Sequence, residues 1–277
     1  MNRLLIGISE LKNLILNIKT KKNLDFSNYA LSSLKRRVED FMLKFHFVNI
    51  DELIHRINKD ESFYKLFVKN ILVDTTELFR DPEFWKELRV SVLNKVKLSG
   101  NFKILIPECN SGEELYSLLI VLKQIGILEK TQICLTSLSQ LNIEKIKNAT
   151  IEQKKMEVNI ANFERFDENG NIFDFFTKKA SAVKLDSALF ENVEIIQHNL
   201  FNDELAETYN LILFRNKLIY YNQQLKTDAL KILKNYLKES GFIAIGIKET
   251  IEFPGVERAF VIVSDSEKIY KKTIIEL

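Results

Sequence analysis

The chain has 277 residues, 46% of them hydrophobic and 28% charged, with a formal net charge of +2. This is the composition of a globular protein with one large domain, or a large one and a smaller one, and so small a net charge argues against nucleic acid as a partner. Two cysteines, Cys109 and Cys134, lie in apolar stretches and fit a reduced, cytoplasmic setting better than a disulfide scaffold, and the three scattered histidines lack metal-ligand spacing.

In chain order, the opening MNRLLIGISELKNLILNIKTKKN is interrupted by Glu10 and Lys12, so it reads as neither a signal peptide nor a membrane span. Residues 1–99 read as helical. Leu11, Leu14, Ile15 and Ile18 recur at helix spacing, as do Leu31, Leu34, Val38, Phe41 and Met42, with Asp25 or Ser27 as the cap of the second helix. Asp51 starts another short helix, and Asp81-Pro82 starts one with proline in its first turn and Phe84, Trp85 and Leu88 inward. From residue 102 strands alternate with helices. Strands are expected at 103–108, 131–138, 193–200, 209–216, 241–248 and 260–265, and in the final KIYKKTII, the last two as an edge hairpin. Helices are expected at 113–125, 141–148 and 223–239. Continuous apolar strands predict a mostly parallel sheet covered on both faces. The polar stretch 150–190, with a turn at Asp167-Glu-Asn-Gly170, reads as an insertion. The chain thus divides into a helical unit with linker, 1–99, and a sheet domain, 100–277.

Ligands of such sheets sit beyond the carboxyl ends of the strands. The turn PECNSGEE (107–114) belongs there and has neither the glycine-rich dinucleotide fingerprint nor a phosphate loop with its lysine. Glu108, Glu113 and Glu114 suit a cationic ligand such as S-adenosylmethionine, a sulfonium compound without phosphate. The plainer role stands beside it: Ser111-Gly-Glu-Glu114 has the spacing of a capping box, and Glu113 suits a first helical turn.

Four segments in order resemble the CheR-type chemotaxis receptor glutamate O-methyltransferases: LSSLKRRVEDFM (31–42), DTTELFRDPEFWKEL (74–88), CNSGEELYSLLIVL (109–122) and YNLILFRNKLIYYNQQLKTDALKILKNYLKESGFIAIG (209–246). The resemblance implies an α/β, Rossmann-like S-adenosylmethionine-dependent methyltransferase domain with a helical N-terminal domain and a small inserted β subdomain. IFDFF (172–176) and ASAVKL (180–185) would supply strands of that subdomain. It implies S-adenosylmethionine as cofactor and a methyl-accepting chemotaxis receptor as partner. Carried over by position, Thr76, Arg80, Glu114, Ser137, Asn199, Leu200, Arg215 and Asn216 are the implied cofactor contacts. Arg80 and Tyr220 are the implied catalytic residues, and Lys35, Arg36 and Arg37 the implied partner surface. Some have a structural alternative: an Arg80–Asp81 ion pair at the helix start, a neighbouring acid for Arg215, core packing for Tyr220, and a solvated face for the basic run. The receptor's glutamate is ionised at neutral pH, so direct attack on the methyl needs no general base.

The sequence also departs from the family pattern. Ser137 and Ser139 stand where aspartates are expected to hold the ribose, Pro107-Glu108 replace small residues, and Lys217 follows the Arg-Asn pair. Gly246-Ile-Lys-Glu-Thr250 replaces G-H-S-E-S. These changes keep open a second reading, a catalytically degenerate CheR-like protein that binds a receptor or other signalling partner.

Overall fold

A computed structural model of the chain describes residues 5–72, 77–96, 101–179, 181–253 and 255–273. The chain forms two units, Met1–Val73 with Lys217–Asp228, and Asp74–Asn216 with Ala229–Leu277. The boundary expected at 99 falls at Val73, because Phe79, Phe84, Trp85 and Leu88 join one apolar core with Phe102, Ile104 and Leu118.

The first unit holds α1 (Ile8–Lys22), α2 (Leu31–Lys44), α3 (Ile50–Lys59) and α4 (Glu61–Ile71). Helix α1 buries Leu11, Leu14, Ile15 and Ile18, the stripe its periodicity predicts. Helix α2 starts differently from expectation. Its N-cap is Ala30, and Asp25 instead accepts the Ser27 N–H (2.8 Å) in a turn before it. Helix α3 is capped by Asn49, which accepts the Glu52 N–H, and α4 by Asp60, which accepts the Phe63 N–H. Phe41, Phe45, Phe63 and Phe67 pack ring against ring between α2 and α4. The segment from Lys217 is tied in by main-chain bonds, Ala30 N–H to Tyr220 C=O (2.8 Å) and Asn222 N–H to Asn28 C=O (2.9 Å).

The second unit begins with α5 (Pro82–Leu88), a π turn (Arg89–Leu93) and α6 (Asn94–Val96). Then come β1 (Phe102–Ile106), α7 (Glu113–Gln124), β2 (Thr131–Ser137) and α8 (Gln140–Asn148). The insertion contributes β3 (Thr150–Glu152), α9 (Met156–Phe166), β4 (Phe176–Lys178) and β5 (Ala182–Leu185). The chain closes with β6 (Val193–Gln197), β7 (Tyr209–Phe214), α10 (Gln223–Tyr236), β8 (Leu237–Ile245), β9 (Phe260–Ser264) and β10 (Ile269–Lys272). The main sheet runs β6-β2-β1-β7-β8-β10-β9, parallel from β6 to β8 and antiparallel beyond. Strand order reverses between β1 and β7, which places the ligand crevice at their carboxyl ends. The final hairpin forms as expected, with β10 inserted beside β8 and β9 at the edge.

Three differences have local causes. Helix α10 stops at Tyr236, three residues short of expectation, because Leu237 already pairs with Tyr209 and an irregularity follows in the ladder. The inserted sheet, β3-β5-β4, has a first strand, Thr150–Glu152, too short to stand out in sequence. IFDFF forms a 3₁₀ turn at Ile172–Phe175, with strand pairing starting at Phe176.

Candidate active site

The turn after β1 is buried throughout. Glu108 takes a left-handed backbone (φ 52°), and the Cys109 N–H reaches across to the Thr136 carbonyl of β2 (2.7 Å). Helix α7 then starts with Gly112 as its N-cap, so the third helical residue is Leu115. The S-x-x-E spacing is therefore one residue out of register with a capping box. Gly112 is required by packing. A Cβ there would lie 1.9 Å from Cζ of Tyr116, whose ring crosses the start of the helix and whose hydroxyl donates to the Ile146 carbonyl (2.8 Å). Burial pushes the Tyr116 phenol up, so it stays protonated and a donor.

Arg215, at the end of β7, is 1% exposed. It donates to Asp81 (2.8 Å), to Glu114 (3.5 Å) and to the Arg80 carbonyl (3.3 Å), and its guanidinium lies 3.7 Å from the centre of the Phe84 ring. Burial pulls its pKa down, while Glu114 and Asp81 act to hold the charge. Of the two alternatives for this region, the acid pairing with Arg215 is realised. Asp81 faces Arg215, and the guanidinium of half-buried Arg80 has no hydrogen bond or ion pair with the described residues.

The backbone that presents Arg80 is fixed from three sides. Leu78 N–H donates to Asn159 Oδ1 (2.9 Å), Asn162 Nδ2 donates to the Leu78 carbonyl (3.0 Å), and Phe79 N–H donates to Ser117 Oγ (2.8 Å). Phe79 and Asp81, on either side of Arg80, both have positive φ (51° and 57°). Phe79 stacks on Phe166 at 4.8 Å and meets Phe163 and Trp85 edge-on, which offsets that strain. Asn159 and Asn162 lie on α9, so the insertion fixes the loop that carries the free cation. Sequence reasoning missed both. Their signal was two asparagines three apart on one helical face.

At the end of β2, Ser137 Oγ donates to Asn110 Oδ1 (3.1 Å), and Ser139 caps α8 by accepting the Asn142 N–H. At the end of β6, His198 N–H donates to the Ser137 carbonyl (3.0 Å). Asn199 follows and shapes the turn, its N–H on Asp203 Oδ2 and its Oδ1 accepting the Phe201 N–H, while Leu200 is buried. After β7, Asn216 is left-handed (φ 57°), and its N–H shares Glu249 Oε2 with the Gly246 N–H. Thr76 lies outside the described residues. The structure thus brings Arg80, Glu114, Ser137, Asn199, Leu200, Arg215 and Asn216 to the strand ends of the second unit. Tyr220 belongs to the first unit, where Arg37 lies over its ring at 4.6 Å. The basic run divides. Lys35 pairs with buried Glu39 (3.0 Å), Arg37 turns inward onto the Ile71 carbonyl and Ser33, and Arg36 is exposed.

Several side chains at these strand ends keep buried polar atoms without hydrogen-bond partners: Glu113 Oε2, Asn142 Nδ2, Arg215 Nε, Asn216 Nδ2 and both ring nitrogens of His198. Such atoms are rare in folded proteins, and each calls for a partner. Here they come from the ends of β1, β2, β6 and β7 alike. The same rim carries the carboxylates of Asp81, Glu108, Glu113, Glu114 and Glu249 against the guanidiniums of Arg80 and Arg215. A ligand that bears a carboxylate for Arg80, positive charge for the acids, and both donors and acceptors matches this set. S-adenosylmethionine has those groups.

Comparison with known proteins agrees. Residues 74–269 match the model of the CheR methyltransferase SAM-binding domain, and residues 9–72 that of the CheR methyltransferase all-alpha domain. The chain belongs to the CheR methyltransferase family. It is 27% identical over 264 residues to Cher3 of Pseudomonas putida, covering 95% of this chain and 97% of that protein. It is 24% identical over 242 residues to a chemotaxis protein methyltransferase of Listeria monocytogenes, covering 86% and 88%. Chemotaxis protein methyltransferase 1 of Pseudomonas aeruginosa is 26% identical over 239 residues, covering 80% and 82%. As a CheR domain, the sheet unit binds S-adenosylmethionine, and its strand-end rim is where the residues that fit the cofactor gather.

Proposed function

We propose that this CheR-family protein esterifies glutamate side chains of chemotaxis receptors and works in the cytoplasm. The observation that supports this best is the free guanidinium of Arg80, on a rigidly held loop, beside a carboxylate-rich rim with unfilled donors and acceptors. Bound S-adenosylmethionine would supply an electrophilic methyl on sulfonium, so that a C–S bond breaks as a C–O bond to the glutamate forms. The protein's task is alignment and exclusion of water. Arg80 would clamp a carboxylate through its planar fork. Asp81 and Glu114 neutralise Arg215 and leave the rim negative overall, in favour of a cation. Asn216, fixed through Glu249, would donate its amide to the nucleoside. Among the described residues no helix is long and apolar enough to cross a membrane.

The second reading, a partner-binding protein without turnover, is favoured by Ser137. Its hydroxyl is engaged with Asn110, and no carboxylate ends β2. One experiment separates the two. Radiolabelled S-adenosylmethionine is incubated with the protein and a receptor signalling domain, and base-labile label on the receptor is counted. Labelled methyl ester, lost in the Arg80→Ala variant, is the expected result. Cofactor binding without any ester at a full complement of candidate receptors would favour the second reading.

A further inference from the structure

A feature of this rim that the family resemblance did not supply lies at the end of β6. His198 is 4% exposed, and neither ring nitrogen closes a well-formed hydrogen bond. Its main chain is bonded to that of Ser137, the position where the ribose-holding carboxylate is missing. Ser137 itself is not a substitute acceptor, since its hydroxyl donates to Asn110 and already takes the Ser139 N–H at 3.4 Å. A buried imidazole left with an open acceptor is destabilising unless something fills it.

We infer that His198 is a cofactor-binding residue, its neutral imidazole accepting a hydrogen bond from a ribose hydroxyl in place of the absent carboxylate. The inference rests on the reading that S-adenosylmethionine binds at these strand ends. Burial favours the neutral ring, which carries one N–H and leaves its other nitrogen as an acceptor. The substitution of serine for an acid on β2 and the buried histidine on β6 then form one compensating pair.

The test is calorimetry of the full chain with S-adenosylhomocysteine and with its 2′-deoxy and 3′-deoxy analogues. His198→Phe is expected to weaken S-adenosylhomocysteine about tenfold, the worth of one neutral hydrogen bond. It should bind one deoxy analogue as tightly as the parent binds that analogue. Equal affinity of parent and variant for S-adenosylhomocysteine overturns the inference, as does an equal loss for all three ligands. If the parent binds none of them, the cofactor reading falls as well, which keeps the two failures distinct. A measurement on the unmutated protein removes dependence on the variant's folding. In histidine-labelled protein, the unprotonated ring nitrogen of His198 should shift on adding S-adenosylhomocysteine and not with the critical deoxy analogue. Ring nitrogens that ignore the ligand also overturn it.

Discussion

Arg80 and Arg215 are neighbours with opposite duties. Arg215 is engaged through both terminal nitrogens by Asp81, Glu114 and a carbonyl, whereas Arg80 has only its backbone engaged. Arg80→Ala should therefore leave the melting temperature nearly unchanged while weakening S-adenosylhomocysteine by about 1.5–3 kcal/mol, the value of a charged hydrogen bond, read by calorimetry and thermal melts together. Asp81→Asn should do the reverse. Asparagine tolerates the left-handed backbone, but Arg215 loses its nearer counter-ion. Urea unfolding should show a loss of about 2 kcal/mol, less than the ~3–5 of a fully buried pair because Asp81 is partly exposed. His198 predicts a pH dependence. Burial holds its folded pKa below the unfolded value near 6.5, so the unfolded chain binds the extra proton. Its share of stability is complete above that unfolded value and is lost as pH falls below it toward the folded one. His198→Phe should flatten that part of the stability curve between neutral and mildly acid pH.

At the scale of elements, the two glycines of the rim carry the geometry. Gly112→Ala would drive a methyl into the Tyr116 ring and should cost about 1–3 kcal/mol by displacing that side chain, visible as a lower urea midpoint. Gly246 has Asn216 Oδ1 and Glu249 Oε2 within 2.8 Å of where a Cβ would sit, so its backbone must approach both. The strands and α7, α8 and α10 were readable from periodicity, since a sheet buried on both faces demands unbroken apolar runs. The β3 strand and α9 were not, because three-residue strands carry no period and the buried Asn159 and Asn162 interrupt the apolar face that Met156, Phe163 and Phe166 give α9. The paired acids of PECNSGEE were legible as a rim facing positive charge. That Glu114 would answer Arg215 across 101 residues of sequence was not, because only the sheet brings β1 and β7 side by side.

For the whole molecule, sequence located the helical unit and the sheet unit but misplaced their boundary, because aromatic side chains of 79–88 read equally well as part of either core. It could not anticipate that Lys35, Arg36 and Arg37 would point in different directions, with Lys35 and Arg37 holding the first unit together. A receptor-facing role for this helix would thus fall to Arg36, and Arg36→Glu should weaken receptor association without changing cofactor affinity. The cofactor should also stabilise the protein by mass action, by about 2.7 kcal/mol at a hundredfold excess over Kd. The most direct measurement is calorimetric titration of the unmodified chain with S-adenosylhomocysteine. Binding at one site with micromolar affinity is what the strand-end rim predicts. No heat, and no rise in melting temperature at millimolar ligand, would contradict it.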